Sequence, residues 1–245
     1  MLKIQSDAKI ATMPVTSSRR AQRRAQSEQE ILTLARSVVA ESGVEALTLR
    51  GLASQLGMAP SGVHYYFASR EDLLAAVVTS TFHDLAACVE QATAALPQDE
   101  QLARWTVGAS AYARWATDQP ELFELAHSRA ATRLKAVPGL LDAKDRVAQA
   151  LMTPLLSAAD NGRSRPSSAV AAAVPLVREP LQQWAQATGA HLPEDVRLAA
   201  LLTYIALQGH VLLVLSGSLP AELLRDDSLL AAHLQVLTHS WTDHA

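Results

Sequence analysis

The chain has 245 residues, of which 49% are apolar and only 4% are aromatic. Ala and Leu favour helices, and the β-branched and aromatic residues that favour strands are comparatively scarce, so the composition predicts an all-α fold of one or two domains. The formal net charge of −3 excludes a uniformly basic nucleic-acid-binding protein, and the single cysteine, Cys88, excludes an intrachain disulfide and fits a cytoplasmic protein.

The positive charge is concentrated at the start of the chain. Residues 1–80 hold nine Lys and Arg against seven Asp and Glu, whereas residues 81–245 hold twelve against seventeen. Residues 1–26 have no sustained hydrophobic period and lack the apolar segment of a secretory signal, so we expect a disordered arm. Its arginines form a local positive patch of the kind that attracts phosphate: Arg19, Arg20, Arg23 and Arg24.

A first helix is predicted over residues 27–43. Ser27 and Glu30 have the spacing of a capping box, in which each side chain bonds a free backbone N–H of the first turn. The apolar residues between them and Gly43 recur at helical spacing. Gly43 is a suitable stop because glycine readily adopts the left-handed conformation that ends many helices.

Residues 48–67 predict two short helices joined by a glycine turn. Thr48 is the candidate N-cap of the second helix, and Gly57 ends it. Pro60 begins the third helix, where its missing N–H is tolerated, and this helix ends in aromatic residues at Phe67. Two helices joined this tightly form a helix-turn-helix, whose second helix can enter the DNA major groove.

Helical periodicity continues to the end of the chain. Ser69 is expected to cap a fourth helix that extends to about residue 95, and the alanine-rich segment at 168–188 is expected to be kinked or split by Pro175 and Pro180. The most hydrophobic segment, residues 196–215, is interrupted by polar residues and is predicted to be a buried core helix rather than a membrane span. The remaining helices are predicted at about 98–117, 120–136, 139–160, 168–188, 194–216 and 227–241.

Residues 27–78 together resemble the tetracycline-repressor (TetR) family of bacterial transcriptional regulators. A weaker similarity lies at Tyr204, Gln208 and Gly209, where one large subgroup of that family carries W-x-x-x-H-G. The positions that carry the main resemblance are Gly43, Thr48, Leu52, Ala53, Leu56, Gly57, Met58, Val63, His64, Tyr65, Tyr66, Phe67, Ser69, Arg70, Glu71 and Leu73.

The resemblance implies an all-α homodimer with an N-terminal three-helix HTH DNA-binding domain and a larger helical ligand-binding and dimerisation domain. These domains would span 27–70 and 71–245, with the helix at 71–95 connecting them. The implied function is that of a sequence-specific, ligand-responsive regulator, a repressor released from a palindromic operator by a small effector. No cofactor, metal or membrane partner is expected.

The predicted DNA-binding residues lie on the arm, the helix-turn-helix and the start of the fourth helix. Ser61 can hydrogen-bond a base or a phosphate, and Ala59 and Pro60 can contact a thymine methyl group. None of them can form the two-point base contacts of Arg or Asn, so specificity would also draw on DNA shape, on Arg50 and on the arm in a minor groove. The full set is Arg19, Arg20, Arg23, Arg24, Thr48, Arg50, Ala59, Pro60, Ser61, Gly62, His64, Tyr65, Tyr66 and Arg70.

The predicted effector site is a mainly apolar cavity with a few polar anchors, as small-molecule sites usually are. For each candidate, an ordinary place in the core is the competing interpretation. The candidate ligand-binding residues are Trp105, Tyr112, Trp115, His127, Arg129, Trp184, Tyr204 and Gln208.

The homodimer interface is assigned to about 194–216 and 227–241. The apolar surface of the first segment is too wide for one buried face, which indicates a partner subunit; burial within the monomer is the alternative.

Two other classes of protein are alternatives. An enzyme is disfavoured because the sequence has no nucleophile elbow, P-loop, dinucleotide-binding glycine set or HExxH zinc motif. A helical interaction or scaffold protein would explain the C-terminal helices but not the capped helix-turn-helix beside a basic segment. A DNA-binding protein without an effector is a further alternative.

Overall fold

The computed structural model describes residues 15–134, 139–188 and 192–241, without the side chains of 15–18 and 184–188. The fold is all-α, as the composition predicted. The N-terminal helices are α1 (Val15–Ser42), α2 (Leu49–Gln55), α3 (Pro60–His64) and α4 (Arg70–Thr93), with a 3₁₀ turn at Val44–Ala46. The C-terminal helices are α5 (Gln101–Asp118), α6 (Pro120–His127), α7 (Arg129–Arg133), α8 (Leu140–Asp160), α9 (Ser168–Thr188), α10 (Glu194–Leu215) and α11 (Ser228–His239), with a 3₁₀ turn at Ala221–Leu224.

The start of α1 differs from the prediction. A disordered arm was expected over 1–26, but residues 15–26 are helical and continuous with the first predicted helix, while residues 1–14 lie outside the described residues. The capping box was therefore wrong as a helix start, because α1 runs through Ser27. Glu30 instead accepts a hydrogen bond from Gln26 at 3.1 Å, a pair one turn apart within the helix.

Helices α1 to α3 form the small N-terminal core. From α1, Ile31, Ala35 and Val39 are buried, and they join Leu52 of α2 and Val63 of α3 in one apolar cluster.

The predicted helix boundaries in this region are confirmed by the backbone. Gly43 and Gly57 both have positive φ, and Pro60 is at the first position of α3. Thr48 and Ser69 cap α2 and α4.

Helix α4 runs through the buried core over nearly its whole length. It packs against α1, α5, α6 and α8, so it contacts both the N-terminal helices and the larger helical part. Its buried residues repeat at helical spacing over nearly its whole length: Leu73, Leu74, Ala75, Val77, Val78, Thr81, Phe82, Leu85, Ala86, Val89 and Thr93. The helix ends at Thr93, two residues before the predicted end.

Two of the C-terminal helices differ from the prediction. The helix predicted at 120–136 is divided at Ser128, which leaves the helical conformation with ψ 162° and caps α7 by accepting a hydrogen bond from Ala131 N–H. A serine side chain that bonds nearby backbone competes with the helical ladder in this way. Helix α9, in contrast, is a single helix, so Pro175 and Pro180 do not split it.

The end of the chain is anchored to α10 and to the segment between α8 and α9. The indole N–H of the buried Trp241 donates to Thr203 on α10 at 2.9 Å. Backbone N–H groups of Arg165 and Ser167 donate to the carbonyls of Trp241 and Ser240 at 3.0 and 2.9 Å. These bonds fix α11 beside α10 and leave one side of α10 uncovered.

Candidate functional sites: an N-terminal interface and a buried polar cluster

The turn between α2 and α3 is closed by backbone hydrogen bonds and a side-chain cap. Thr48 Oγ1 accepts a hydrogen bond from Gly51 N–H at 3.0 Å, and Met58 N–H donates to Ala53 at 2.8 Å. Gly51 has no room for a side chain, because an added Cβ would lie 2.8 Å from Thr48 Oγ1. The cap and turn thus set the angle at which α3 leaves α2.

Helix α3 is buried on one side and exposes small residues on the other. Val63, together with Phe67 just after the helix, is buried in the N-terminal core. The predicted base-facing residues Ala59, Pro60 and Ser61 are all exposed. Gly62 is half-buried against Met58, whose Cε would lie 3.1 Å from an added Cβ.

The aromatic residues that follow have different environments. His64 and Tyr65 are exposed, whereas Tyr66 is half-buried and packs against the core. The Tyr65 and Tyr66 rings meet edge to face with centroids 5.1 Å apart. The guanidinium of Arg24 lies over the Tyr65 ring, 5.2 Å from its centroid, so the start of α1 contacts the end of α3.

The other predicted DNA-binding residues divide into exposed and engaged groups. Thr48 and Arg50 are exposed at the start of α2, and Arg19, Arg20 and Arg23 are exposed along α1. Arg70 is different, because its guanidinium donates to the Leu47 and Val44 carbonyls at 2.9 and 2.7 Å and lies 3.9 Å from Glu45. Arg70 therefore clamps the 3₁₀ turn that precedes α2.

A second group of candidates meets inside the larger helical part. We call Tyr112, His127, Tyr204 and Gln208 the polar cluster. Gln208 Nε2 donates to Tyr204 Oη at 2.8 Å and lies 3.2 Å from His127 Nε2. His127 Nδ1 lies 2.9 Å from the Phe123 carbonyl, an arrangement that assigns the proton to Nδ1 and leaves Nε2 to accept from Gln208.

Aromatic rings surround the polar cluster. Phe123 stacks on His127 with centroids 4.1 Å apart, and Tyr112 meets Phe123 edge to face at 5.7 Å. Phe82 of α4 meets the other side of His127 at 5.5 Å. Neither Phe82 nor Phe123 was among the ligand-binding residues predicted from the sequence. Phe123 could have been included, because it lies one turn before the candidate His127 on the same helix.

Two polar atoms of the cluster are buried without a hydrogen-bond partner among the described residues, the Tyr112 hydroxyl and Gln208 Oε1. An unsatisfied buried polar atom is unfavourable, and a bound molecule can satisfy it. The cluster lies outside the open groove of about 290 Å³ that Arg114, His210 and Asp227 help to line. Tyr112 is fully buried and the other three members of the cluster are half-buried. A ligand would have to separate their side chains to reach the two buried atoms.

Burial keeps the cluster uncharged. It raises the pKa of Tyr112 well above its usual value, with a further contribution from Tyr204, and it raises the pKa of Tyr204 as well; the neighbouring Gln208 side chain opposes both shifts. Burial also lowers the pKa of His127, and the nearby Lys144 ammonium acts in the same direction. Near neutral pH the cluster thus offers neutral hydrogen-bonding groups in an apolar setting.

The remaining ligand candidates lie apart from the cluster. Trp105 is fully buried and lies two helical turns before Tyr112 on α5. Its indole Nε1 is another buried atom without a hydrogen-bond partner among the described residues. Trp115 is half-buried at the edge of the core, and Arg129 is exposed. The side chain of Trp184 lies outside the described residues.

Part of the chain is similar to known regulatory proteins. Residues 31–77 match the family model described as bacterial regulatory proteins, tetR family. The HTH-type transcriptional regulators Rv1816 of Mycobacterium tuberculosis and Mb1846 of Mycobacterium bovis are each 32% identical to this chain over 130 residues, which is 51% of this chain and 51% of each relative. The chain thus matches about half the length of these curated relatives.

Solved structures share the fold over most of the chain. The regulatory protein SCO4313 has a TM-score of 0.63 at 23% identity, over 89% of this chain and 97% of its own. A tetR-family regulatory protein from Rhodococcus RHA1 has a TM-score of 0.58 at 18% identity, over 89% and 98%. RolR, solved in complex with resorcinol, has a TM-score of 0.56 at 16% identity, over 90% of both chains.

Replacing Arg70 with Ala should lower the free energy of unfolding by about 1–2 kcal/mol, because it removes two charge-assisted hydrogen bonds to backbone carbonyls at a half-buried site. Denaturant titration measures this change, and Arg50→Ala, at an exposed position, is the matched control with an expected change within about 0.5 kcal/mol. Equal stability of the two variants would contradict the clamp. The predicted phosphate contact has a separate signature, a fall of about 0.9 in the salt slope of DNA binding.

Proposed function

We propose that this chain, whose residues 31–77 match the family model of bacterial regulatory proteins, tetR family, is a cytoplasmic, dimeric, DNA-binding transcriptional regulator of that family. We further propose that it acts as a repressor, which a small molecule releases from a palindromic operator. The main support for DNA binding is the arrangement of α3. This short helix is anchored by the buried Val63 and exposes Ala59, Pro60 and Ser61 beside an exposed positive patch.

The chemistry of α3 supports weak base-by-base recognition. Ser61 can donate or accept one hydrogen bond at a base edge, and Ala59 and Pro60 can pack against a thymine methyl group. These side chains are short, so α3 has to lie close to the groove floor. We propose that DNA shape and deformability supply much of the discrimination, because the helix carries no side chain capable of a two-point base contact before His64.

Selection from a pool of random duplexes should enrich a palindrome whose half-sites lie about 34–36 Å apart, the spacing that suits two α3 helices on one DNA face. Ser61→Ala should raise the Kd of the selected duplex about two- to tenfold, the cost of one hydrogen bond. Ser54→Ala, at an exposed position of α2, is the control and should leave the Kd unchanged. Failure of the wild-type protein to enrich any sequence would refute the regulator function.

The polar cluster is our proposed effector site. It combines aromatic walls, neutral hydrogen-bonding groups and two unsatisfied polar atoms, which suits a small, largely apolar molecule with a hydroxyl or similar group. RolR, which shares the fold, was solved with resorcinol, a molecule of this kind. Because the cluster is closed in this conformation, binding would separate α6 from α10 at His127 and Gln208.

A series of small aromatic alcohols that includes resorcinol should contain compounds that raise the melting temperature of the wild-type protein. Tyr112→Phe should be about as stable as the wild-type protein without ligand, because the deleted hydroxyl makes no hydrogen bond of ordinary geometry among the described residues, yet it should lose most of the ligand-induced shift. Arg129→Ala, at an exposed position, is the control and should keep the shift. A shift that Tyr112→Phe and Gln208→Leu both retain would place the site elsewhere.

A second copy of the chain is our proposed partner for the uncovered side of α10. Leu201, Leu202, Ile205, Leu212 and Leu213 are each between 39% and 54% exposed, although the same helix contributes buried residues to the core. Helices α4 and α10 are both long and apolar enough to cross a membrane by length and composition, but α4 is largely packed in the core. A two-fold pairing that buries this side of α10 would remove the apolar patch from water.

Ile205→Glu should shift the protein from dimer to monomer in analytical ultracentrifugation, because two carboxylates would face each other across the two-fold axis without compensation. Leu176→Glu is the matched control: Leu176 is 84% exposed on α9, and its replacement should leave the mass unchanged. A dimer that survives Ile205→Glu, or a wild-type protein that is monomeric at micromolar concentration, would contradict this interface.

A further inference from the structure

Helix α1 is longer than the N-terminal core requires. Its first buried residue is Ile31, and from Arg19 to Glu30 every residue is exposed except the half-buried Ser27. At 1.5 Å per residue, these twelve positions extend the helix by about 18 Å beyond the core. We call residues 19–30 the overhang.

Two of the four arginines of the overhang, Arg20 and Arg24, lie on the side of α1 that packs onto the core. Arg24 precedes Ile31 by seven residues, which is two helical turns, and Arg20 lies one turn earlier on the same stripe. Ser27, the one half-buried position, falls between Arg24 and Ile31 on that stripe. Arg20 and Arg24 therefore continue the face of α1 that packs onto the core, while Arg19 and Arg23 lie to one side of it.

A contact with α3 fixes the direction of the overhang. The Arg24 guanidinium lies over the ring of Tyr65, and Tyr65 meets Tyr66, which packs against the core. A guanidinium that stacks on a ring through its face keeps its in-plane N–H groups available for an oxygen acceptor. The contact thus holds a phosphate-binding group beside the end of the recognition helix.

The charge pattern is unfavourable for the helix alone. Positive side chains near the N-terminal end of a helix oppose its dipole, and the first turn of α1 contains no acidic residue. The two glutamates of the overhang, Glu28 and Glu30, come after all four arginines. An external anion would relieve this repulsion, and DNA phosphate is the anion that the proposed function supplies.

We propose that the overhang is a second, rigid DNA-binding element that contacts backbone phosphates beside each half-site, rather than a flexible arm that enters a groove. A helix is about 10–12 Å in diameter, which is too wide for a minor groove of about 6 Å. Its arginines therefore meet the backbone, where they add affinity without reading sequence. The inference rests on the proposed DNA-binding function.

The test compares three variants of the full chain on two probes, the duplex selected with the wild-type protein and a random-sequence duplex of equal length. The first variant replaces Arg19, Arg20, Arg23 and Arg24 with Gln, which keeps helix propensity and removes charge. The second, Ala25→Pro, keeps all four arginines but breaks the helix between them and the core. The third, Ala25→Gln, is the helix-compatible control at the same position.

The salt dependence of binding gives the readout. The four-Gln variant should lower the slope of log Kobs against log[KCl] by about 0.9 for each phosphate that the arginines no longer neutralise, equally on both duplexes. Ala25→Pro should weaken binding by at least tenfold, whereas Ala25→Gln should match the wild-type protein. Thermal melting should show the same folded core in all three variants, because no altered residue is buried.

Three outcomes would overturn the inference. A wild-type slope in the four-Gln variant would remove the phosphate contacts, and equal binding by Ala25→Pro and Ala25→Gln would mean that the arginines act as a flexible arm. A loss in the four-Gln variant that is confined to the selected duplex would indicate that the arginines read sequence or shape in a groove. Failure of the proposed function is distinguishable from all three, because the wild-type protein itself would then bind no duplex selectively.

Discussion

The continuous apolar face of α4 is the constraint on which the rest of the structure depends. Residues from Leu73 to Val89 are buried in a single cluster that also includes Val63 of α3 and Leu151 of α8. The N-terminal helices and the larger helical part therefore share one core rather than being joined by a flexible linker. A close-packed interior does not deform smoothly, so a displacement of α4 has to be accommodated at both ends.

The polar cluster lies one side chain away from this face. Phe82 of α4 contacts His127, the last residue of α6, while Leu122 near the start of α6 borders a cleft lined by Thr33 and Arg36 of α1. On the proposed function, a ligand that opens the cluster would move α6 against α1 and α4 together. A tenfold change in operator affinity needs about 1.4 kcal/mol of differential binding to the two arrangements, which is the scale of one or two hydrogen bonds.

The sequence predicted the features that neighbouring residues determine. The caps at Thr48 and Ser69 and the turn at Gly57 depend on a few adjacent side chains, and the structure confirms them. The same locality explains the error at the start of α1. Ala, Arg, Gln and Glu are all strong helix formers, so nothing between residues 15 and 42 stops the helix, and the capping-box pattern at Ser27 occurs inside it.

The effector candidates show where such local reasoning ends. Tyr112 and His127 come from the consecutive helices α5 and α6, whereas Tyr204 and Gln208 come from α10, far along the chain. Only the packing of α10 against these helices brings the four residues together. Arg129 has similar chemistry and lies two residues after His127, yet the break at Ser128 leaves it exposed. The hydrophobic periodicity of the sequence could not reveal this exposure. The helical repeat is interrupted at Ser128, and the interruption changes which residues after it face the core.

On the proposed function, sequence discrimination and affinity are carried by different parts of the N-terminal domain. Helix α3 exposes short side chains, whereas the arginines of the overhang provide charge without base specificity. The two parts are linked, because buried residues of α1 and α3 belong to one apolar cluster and Arg36 of α1 bonds to Ser80 and Asp84 of α4. Movement of α4 would displace the recognition helix and the overhang together. A modest rearrangement would then weaken base contacts and phosphate contacts at once, which compensates for the few base contacts that α3 can make.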